Sequence, residues 1–283
     1  AIKLFPAGQV SQLIEALEYC IEKQMDVVNL SLGGAVPSEA LEQQIIRAKQ
    51  AGVACIVAAG NSSGPVQYPA SSPNVMAVAA IGRLNEFPPD SYHTQTVTTN
   101  VDANGFFVAR FSCFGPEVAV CAPGVAITSS VPANNFAAWD GTSMAASHVA
   151  GLAALVLAHH PEFQGSVGQR SAERVERLFQ VIKMSCRAVV PGDQRRVGFG
   201  MPDVMRAVGL APLYSPQMMM SASMNAGISS PMMQSLANVY REPPRLMPQT
   251  MNLGLGSFDP YGSYRPLVSS PMAMPAGYTF GLW

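Results

Sequence analysis

Ser143 lies in the run "GTSMAASHVAG", Gly141 to Gly151, where a helix should begin among small neighbours. A helix mouth offers unpaired N–H groups and the positive end of the peptide dipole, so the N–H of Ser143 can help hold a developing oxyanion while the hydroxyl attacks a carbonyl. A neutral hydroxyl is a weak nucleophile, so a base must take its proton and a third group must orient that base. Taken alone, Gly-Thr-Ser at a helix start is more often an N-cap. A second candidate is Asn61, at the end of "VACIVAAGN". Its carboxamide can donate to an oxyanion, although Asn after Gly is also a common turn residue.

Those residues need a scaffold that brings strand ends to a helix mouth. In "VSQLIEALEYCIEKQM", Val10, Leu13, Ile14, Leu17, Cys20 and Ile21 form one stripe at helical period. "PSEALEQQIIRAKQAG" repeats the pattern through Leu41, Ile45 and Ala48, between a Pro-Ser start and Gly52. Short apolar runs alternate with these helices: "DVVNLSLGG", "VACIVAAGN", "NVMAVAAIG" and "EVAVCAPGVAIT" read as buried strands. The alternation predicts right-handed crossovers and a mostly parallel sheet with helices on both faces, a three-layer α/β fold. Sites in such sheets lie at the carboxyl ends of strands. That points to Ser31, Leu32, Gly33 and Gly34 after one strand, and to Ala58, Ala59, Gly60 and Asn61 after another. Residues 83–107 break the alternation and read as a surface excursion or hairpin. Helices resume with "TSMAASHVAGLAALVLAHHPE" and "SAERVERLFQVIKMS", and a last short one is expected in "GFGMPDVMRAV".

Seventeen Lys and Arg against 18 Asp and Glu leave a net charge of -1. No basic excess is available to neutralise phosphates or an anionic membrane, so nucleic acid is not an expected partner. The longest apolar run, "VAGLAALVLA", is about half of what a bilayer span needs, and no transmembrane helix is expected. Cys20, Cys55, Cys113, Cys121 and Cys186 form no Cys-x-x-Cys pair, and most read as small buried side chains. The chain opens on "AIKLFPAG" without a signal-like segment, in what reads as a strand, so the natural protein is expected to begin further upstream. Beyond about Leu210 the sequence is rich in Met, Pro, Ser and Gly. Residues 1–210 are therefore read as one folded domain and 211–283 as a largely disordered tail, with a Met-rich partner surface as the alternative.

"DVVNLSLGG", "VACIVAAGN" and "GTSMAASHVAG" occur in an order that resembles three consecutive blocks of the subtilisin-like serine proteases, the subtilases. "FSCFGPEVAVCAPGVAI" and "GFGMPDVMRAV" are similar to that family's later segments, and the resemblance covers roughly residues 1–210. It implies a subtilisin-like fold, incomplete at its N-terminus, and a serine endopeptidase working through an acyl-enzyme at Ser143. By the same resemblance Asn61 is the oxyanion donor, while Ser31–Gly34 and Ala58–Gly60 line the edge along which a peptide or protein substrate lies. Tyr68 and Pro69 resemble the Tyr-Pro that follows the family's asparagine, and Ser147 stands where the family usually has proline.

The family's aspartate and histidine blocks, both expected upstream of "SLGG", are missing from the sequence. His148 lies about 140° around the helix from Ser143, which aims it away. His159 and His160 fall at the far end of that helix, where they suit the dipole. His93 is the remaining histidine and reads first as a satisfied surface or turn residue, with Asp90 a turn residue and Asp140 a polar group before the helix. Three readings stay open: the C-terminal portion of a protease whose base lies upstream or on a separate piece, an inactive peptide-binding scaffold, and an esterase-like hydrolase using His93. No cofactor is expected. The resemblance places the family's main calcium site on N-terminal residues absent here, and no EF-hand-like carboxylate spacing occurs, so no metal is expected either.

Overall fold

The computed structural model describes residues 1–211, except 3, 5–7, 166–167 and 191–192, together with 281 and 282. The elements run α1 (Val10–Glu22), β1 (Val27–Leu30), β2 (Leu32–Gly33), α2 (Glu39–Gln50), β3 (Ala54–Ala58), β4 (Met76–Arg83), β5 (Phe106–Val108), β6 (Val118–Pro123), β7 (Ile127–Val131) and β8 (Asn135–Trp139). They continue with α3 (Thr142–His159), α4 (Ala172–Met184), β9 (Cys186–Arg187), α5 (Gln194–Val197), β10 (Met201–Pro202), α6 (Val204–Ala207) and β11 (Gly281–Leu282).

The central sheet is parallel through β1, β3, β4 and β6, and β5 adds an antiparallel end against Ile81–Arg83. Strand alternation sends side chains to two layers. From β3, Cys55 and Val57 meet the helices α1 and α2 at Leu13, Leu17, Leu41 and Ile45, while Ala54, Ile56 and Ala58 meet α3 and α4 at Ala146, Val149, Ala153 and Leu178. The chain is thus a three-layer α/β fold, with the predicted helical stripes facing inward. Ser38 caps α2 by accepting the Leu41 N–H at 3.3 Å, as its Pro-Ser start implies. All five cysteines are free thiols, and four of them are buried.

The reading of "DVVNLSLGG" as a buried strand needs correction. Asn29 is exposed and Val27 and Val28 are only half-buried, because among the described residues β1 pairs on one side alone, with β3. A run of valines reports apolar contact but not the number of neighbouring strands. Helix α3 has the same asymmetry: Val149, Ala153 and Val156 are buried, whereas Ser147, His148, Gly151, Ala154 and Leu155 are exposed. By length and composition alone α3 could cross a membrane, yet its inner face packs on the sheet. The expected disorder of the tail falls outside the described residues, apart from Ala211 and the strand β11.

At the end of α3, His160 is buried, and its Nδ1 accepts the Glu162 N–H at 3.3 Å. Burial pushes its pKa below the ordinary 6.5, with Glu162 opposing and Arg177 reinforcing the shift. Because the folded state disfavours the proton, this contribution to stability is complete above the unfolded value and is lost as pH falls through the folded one. Thermal unfolding followed from about pH 7.5 to about pH 5.5 should therefore show a falling Tm, and His160→Asn should flatten that slope; parallel slopes for the two proteins would contradict this.

Candidate active site

The strand ends singled out in the sequence meet at one place. Ser31–Gly34 follows β1 and Ala58–Asn61 closes β3 and the turn after it, and the loop after Asn61 joins them. Gly34 N–H donates to the Tyr68 carbonyl at 2.8 Å, Tyr68 N–H returns a bond to Gly34 at 3.0 Å, and Gln67 N–H donates to Ala59 at 3.0 Å. The Tyr68 hydroxyl donates to the Ser38 carbonyl at 3.1 Å, so α2 anchors the loop. Gly60 has φ +111°, and a Cβ there would fall 2.8 Å from Gln67 Oε1 and 3.0 Å from Cys113 Sγ, so only glycine suits the turn.

The mouth of α3 is held against these ends. Gly141 supplies no side-chain cap. Asn61 takes over that task, its Oδ1 accepting from the Thr142 N–H at 3.0 Å and from the Thr142 hydroxyl at 2.8 Å. The Thr142 hydroxyl in turn accepts the Gly60 N–H at 3.2 Å. Because an N–H can only donate, the atom facing it must be the amide oxygen, which fixes the flip of the carboxamide and frees its NH2 as a donor on the other side. Just after β1, the Ser31 hydroxyl donates to the Ser143 carbonyl at 3.1 Å, and from α3 itself the Ser147 hydroxyl does so at 3.0 Å. Asn29 Nδ2 donates to Ser31 Oγ at 2.9 Å. Gly141 N–H donates to Gly124 at 2.8 Å, tying in the turn after β6.

Ser143 is 6% exposed, and its Oγ has no hydrogen-bond partner among the described residues. A buried hydroxyl left unpaired costs about 1–3 kcal/mol. It borders a cavity of about 760 Å³ lined also by Ser31, Tyr92, Trp139, Asp140 and His148. His148 does not serve it: Nδ1 donates to the Met144 carbonyl at 2.9 Å, one turn back on its own helix.

The expectation for His93 and Asp140 is overturned in one respect. His93 is 5% exposed, not a surface residue, and its Nδ1 lies 2.7 Å from Asp140 Oδ1, which also accepts the Ala126 N–H at 2.7 Å. The His93 ring lies 4.0 Å from that of Tyr92, whose hydroxyl donates to Ala138 at 2.8 Å. The excursion thus folds back onto the β7–β8 hairpin. With Ser143 Oγ unpartnered, the pair makes no triad with it. The position of Asp140 just before Gly-Thr-Ser was a usable hint; a histidine 47 positions earlier in an aperiodic segment gave none. Among the described residues, no group of three or more His, Cys, Asp or Glu could hold a metal ion.

The capping role of Asn61 separates cleanly from any chemical one. Asn61→Ala leaves the Thr142 N–H and hydroxyl without their acceptor and should lower unfolding free energy by about 1–3 kcal/mol in urea. Asn61→Asp keeps an acceptor at the positive end of α3 and should stay within about 0.5 kcal/mol of the parent. Equal losses in the two variants would show that the acceptor is not what matters.

The subtilase family profile matches residues 2–200. A subtilisin of Bacillus pumilus is 39% identical over 160 residues, covering 55% of this chain and 50% of that protein. A thermostable alkaline protease of Halalkalibacterium halodurans is 37% identical over 158 residues, covering 56% and 38%. The chain therefore spans half or less of the length of these relatives. Among solved structures, the prenylagaramide maturation protease PagA superposes with a TM-score of 0.55 at 23% identity, over 76% of this chain and 71% of its own. A protease from Pseudoalteromonas arctica gives 0.56 at 22%, over 71% and 58%. These two likenesses concern the fold. With the profile match over most of its length, this chain belongs to the subtilase family.

Proposed function

We propose that this chain is the nucleophile-bearing part of a serine endopeptidase, with Ser143 forming the acyl-enzyme and Asn61 donating to the oxyanion. The observation that carries the reading is the Ser143 hydroxyl, buried yet unpartnered, at a helix mouth bordering a cavity. The peptide or protein substrate would lie as an added strand along Ser31, Leu32, Gly33 and Gly34, opposite Ala58, Ala59 and Gly60. Attack would put negative charge on the carbonyl oxygen, and the Ser143 N–H with the free NH2 of Asn61 would receive it. The proton of Ser143 needs an acceptor that none of the described histidines provides.

That acceptor, with the group that orients it, is assigned to a further segment of the same protease domain. Two features support the assignment: the side of β1 that has no partner strand among the described residues can continue a parallel sheet, and the exposed face of α3 presents Gly151, Ala154 and Leu155, apolar enough to pack beneath it. The absence of a base partner also favours the second reading, a peptide-binding scaffold without turnover. A fluorophosphonate probe separates the two. Full-length protein carrying upstream sequence should label, Ser143→Ala should not, and this chain alone should label slower by about three orders of magnitude or more. Equal labelling of the Ser143→Ala variant would remove Ser143 from the mechanism, and no labelling of the full-length protein would leave the scaffold.

A further inference from the structure

Strand β2, Leu32–Gly33, lies within the segment assigned above to substrate. It already has a partner. Gly281 pairs with Gly33 and Leu282 with Leu32 in antiparallel register, so the last strand of the chain lies along the edge where a peptide would be added. Apart from β11, β2 has no strand partner among the described residues; the neighbouring Gly34 bonds to Tyr68 through an isolated bridge. The contact is made by backbone, as strand addition to an exposed edge requires.

We propose that the C-terminal segment of this chain is a tethered occupant of its own peptide-binding edge, competing with any extended peptide that approaches Ser143. This rests on the reading of Ser31–Gly34 as the substrate edge, and it adds a named ligand for that edge. Two paired residues make few hydrogen bonds, and each replaces bonds to water, so the free segment would bind weakly. Tethering changes the balance, because a segment on the same chain can compete at an effective concentration on the order of millimolar. The result is partial and reversible cover: a weak peptide is excluded and a tighter one displaces the tail. The side chains of residues 279–283, "TFGLW", carry no charge, so salt should govern the competition only weakly.

The test needs no catalysis. A fluorescein-labelled peptide with the sequence of residues 278–283 is titrated into the full chain and into a variant ending at Tyr278, with binding read by anisotropy. Amide hydrogen exchange is followed at residues 32–34 in both proteins. Removal of 279–283 should tighten probe binding about fivefold and speed exchange at Leu32 and Gly33. In the full chain, Leu282→Pro, which removes one strand N–H at the far end, should reproduce both effects. Equal affinity of the two proteins with unchanged exchange would overturn the proposal, as would failure of the probe to bind either one. In those cases the hydrolase reading is judged separately, by whether Ser143 still takes the fluorophosphonate.

Discussion

The arrangement rests on one oxygen. Asn61 Oδ1 accepts both the first N–H of α3 and the hydroxyl beside it. A helix preceded by Gly141 has no side-chain cap of its own, so its start is set by a residue carried just beyond the end of β3. Around that bond gather the other restraints: Gly60 N–H on the Thr142 hydroxyl, Ser31 on the Ser143 carbonyl, and Gly141 on Gly124. Three strand ends thereby fix the first turn of one helix, and Ser143 is carried on that turn. The bond also orients the carboxamide, which links the stability of the helix start to the direction in which NH2 is offered.

A buried hydroxyl without a partner is costly, and most folds would eliminate it. Here it persists in a part of the molecule that is otherwise densely satisfied, since the carbonyl of the same residue accepts two side-chain hydroxyls. Such a local departure from polar satisfaction, bordering a cavity, is where chemistry is expected. The pair His93 and Asp140 has the opposite character. Their bond, with Ala126 as a third member, pins the excursion to the hairpin and shapes the cavity wall through Tyr92. It is a structural clamp beside the site, made through Nδ1 of its histidine.

Much of this was legible because the relevant signals are local. Period-3.6 stripes placed α1, α2 and α4, and glycine-ended apolar runs located Ser31–Gly34 and Ala58–Asn61 at strand termini. The features that escaped are those set by what lies across space. Whether β1 has one neighbour or two leaves no mark on "VVNL". The burial of His93 depends on a partner 47 positions away, and the pairing of Gly281 with Gly33 is a backbone event that side-chain patterns do not record. The exposed strip on α3 was hidden for a related reason: "VAGLAALVLA" is apolar nearly all round, so its sequence does not say which face is covered.

The central claim is that the Ser143 hydroxyl and the Asn61 carboxamide converge on one carbonyl group at the mouth of α3, the hydroxyl on its carbon and the carboxamide on its oxygen. A crystal structure of the full-length protein with a peptide boronate bound covalently at Ser143 tests it directly. The account predicts a boronate oxygen about 2.7–3.1 Å from Asn61 Nδ2, with Oδ1 still on the Thr142 N–H. An adduct whose oxygen points away from Asn61, or an asparagine that must release Thr142 to reach it, would contradict the account.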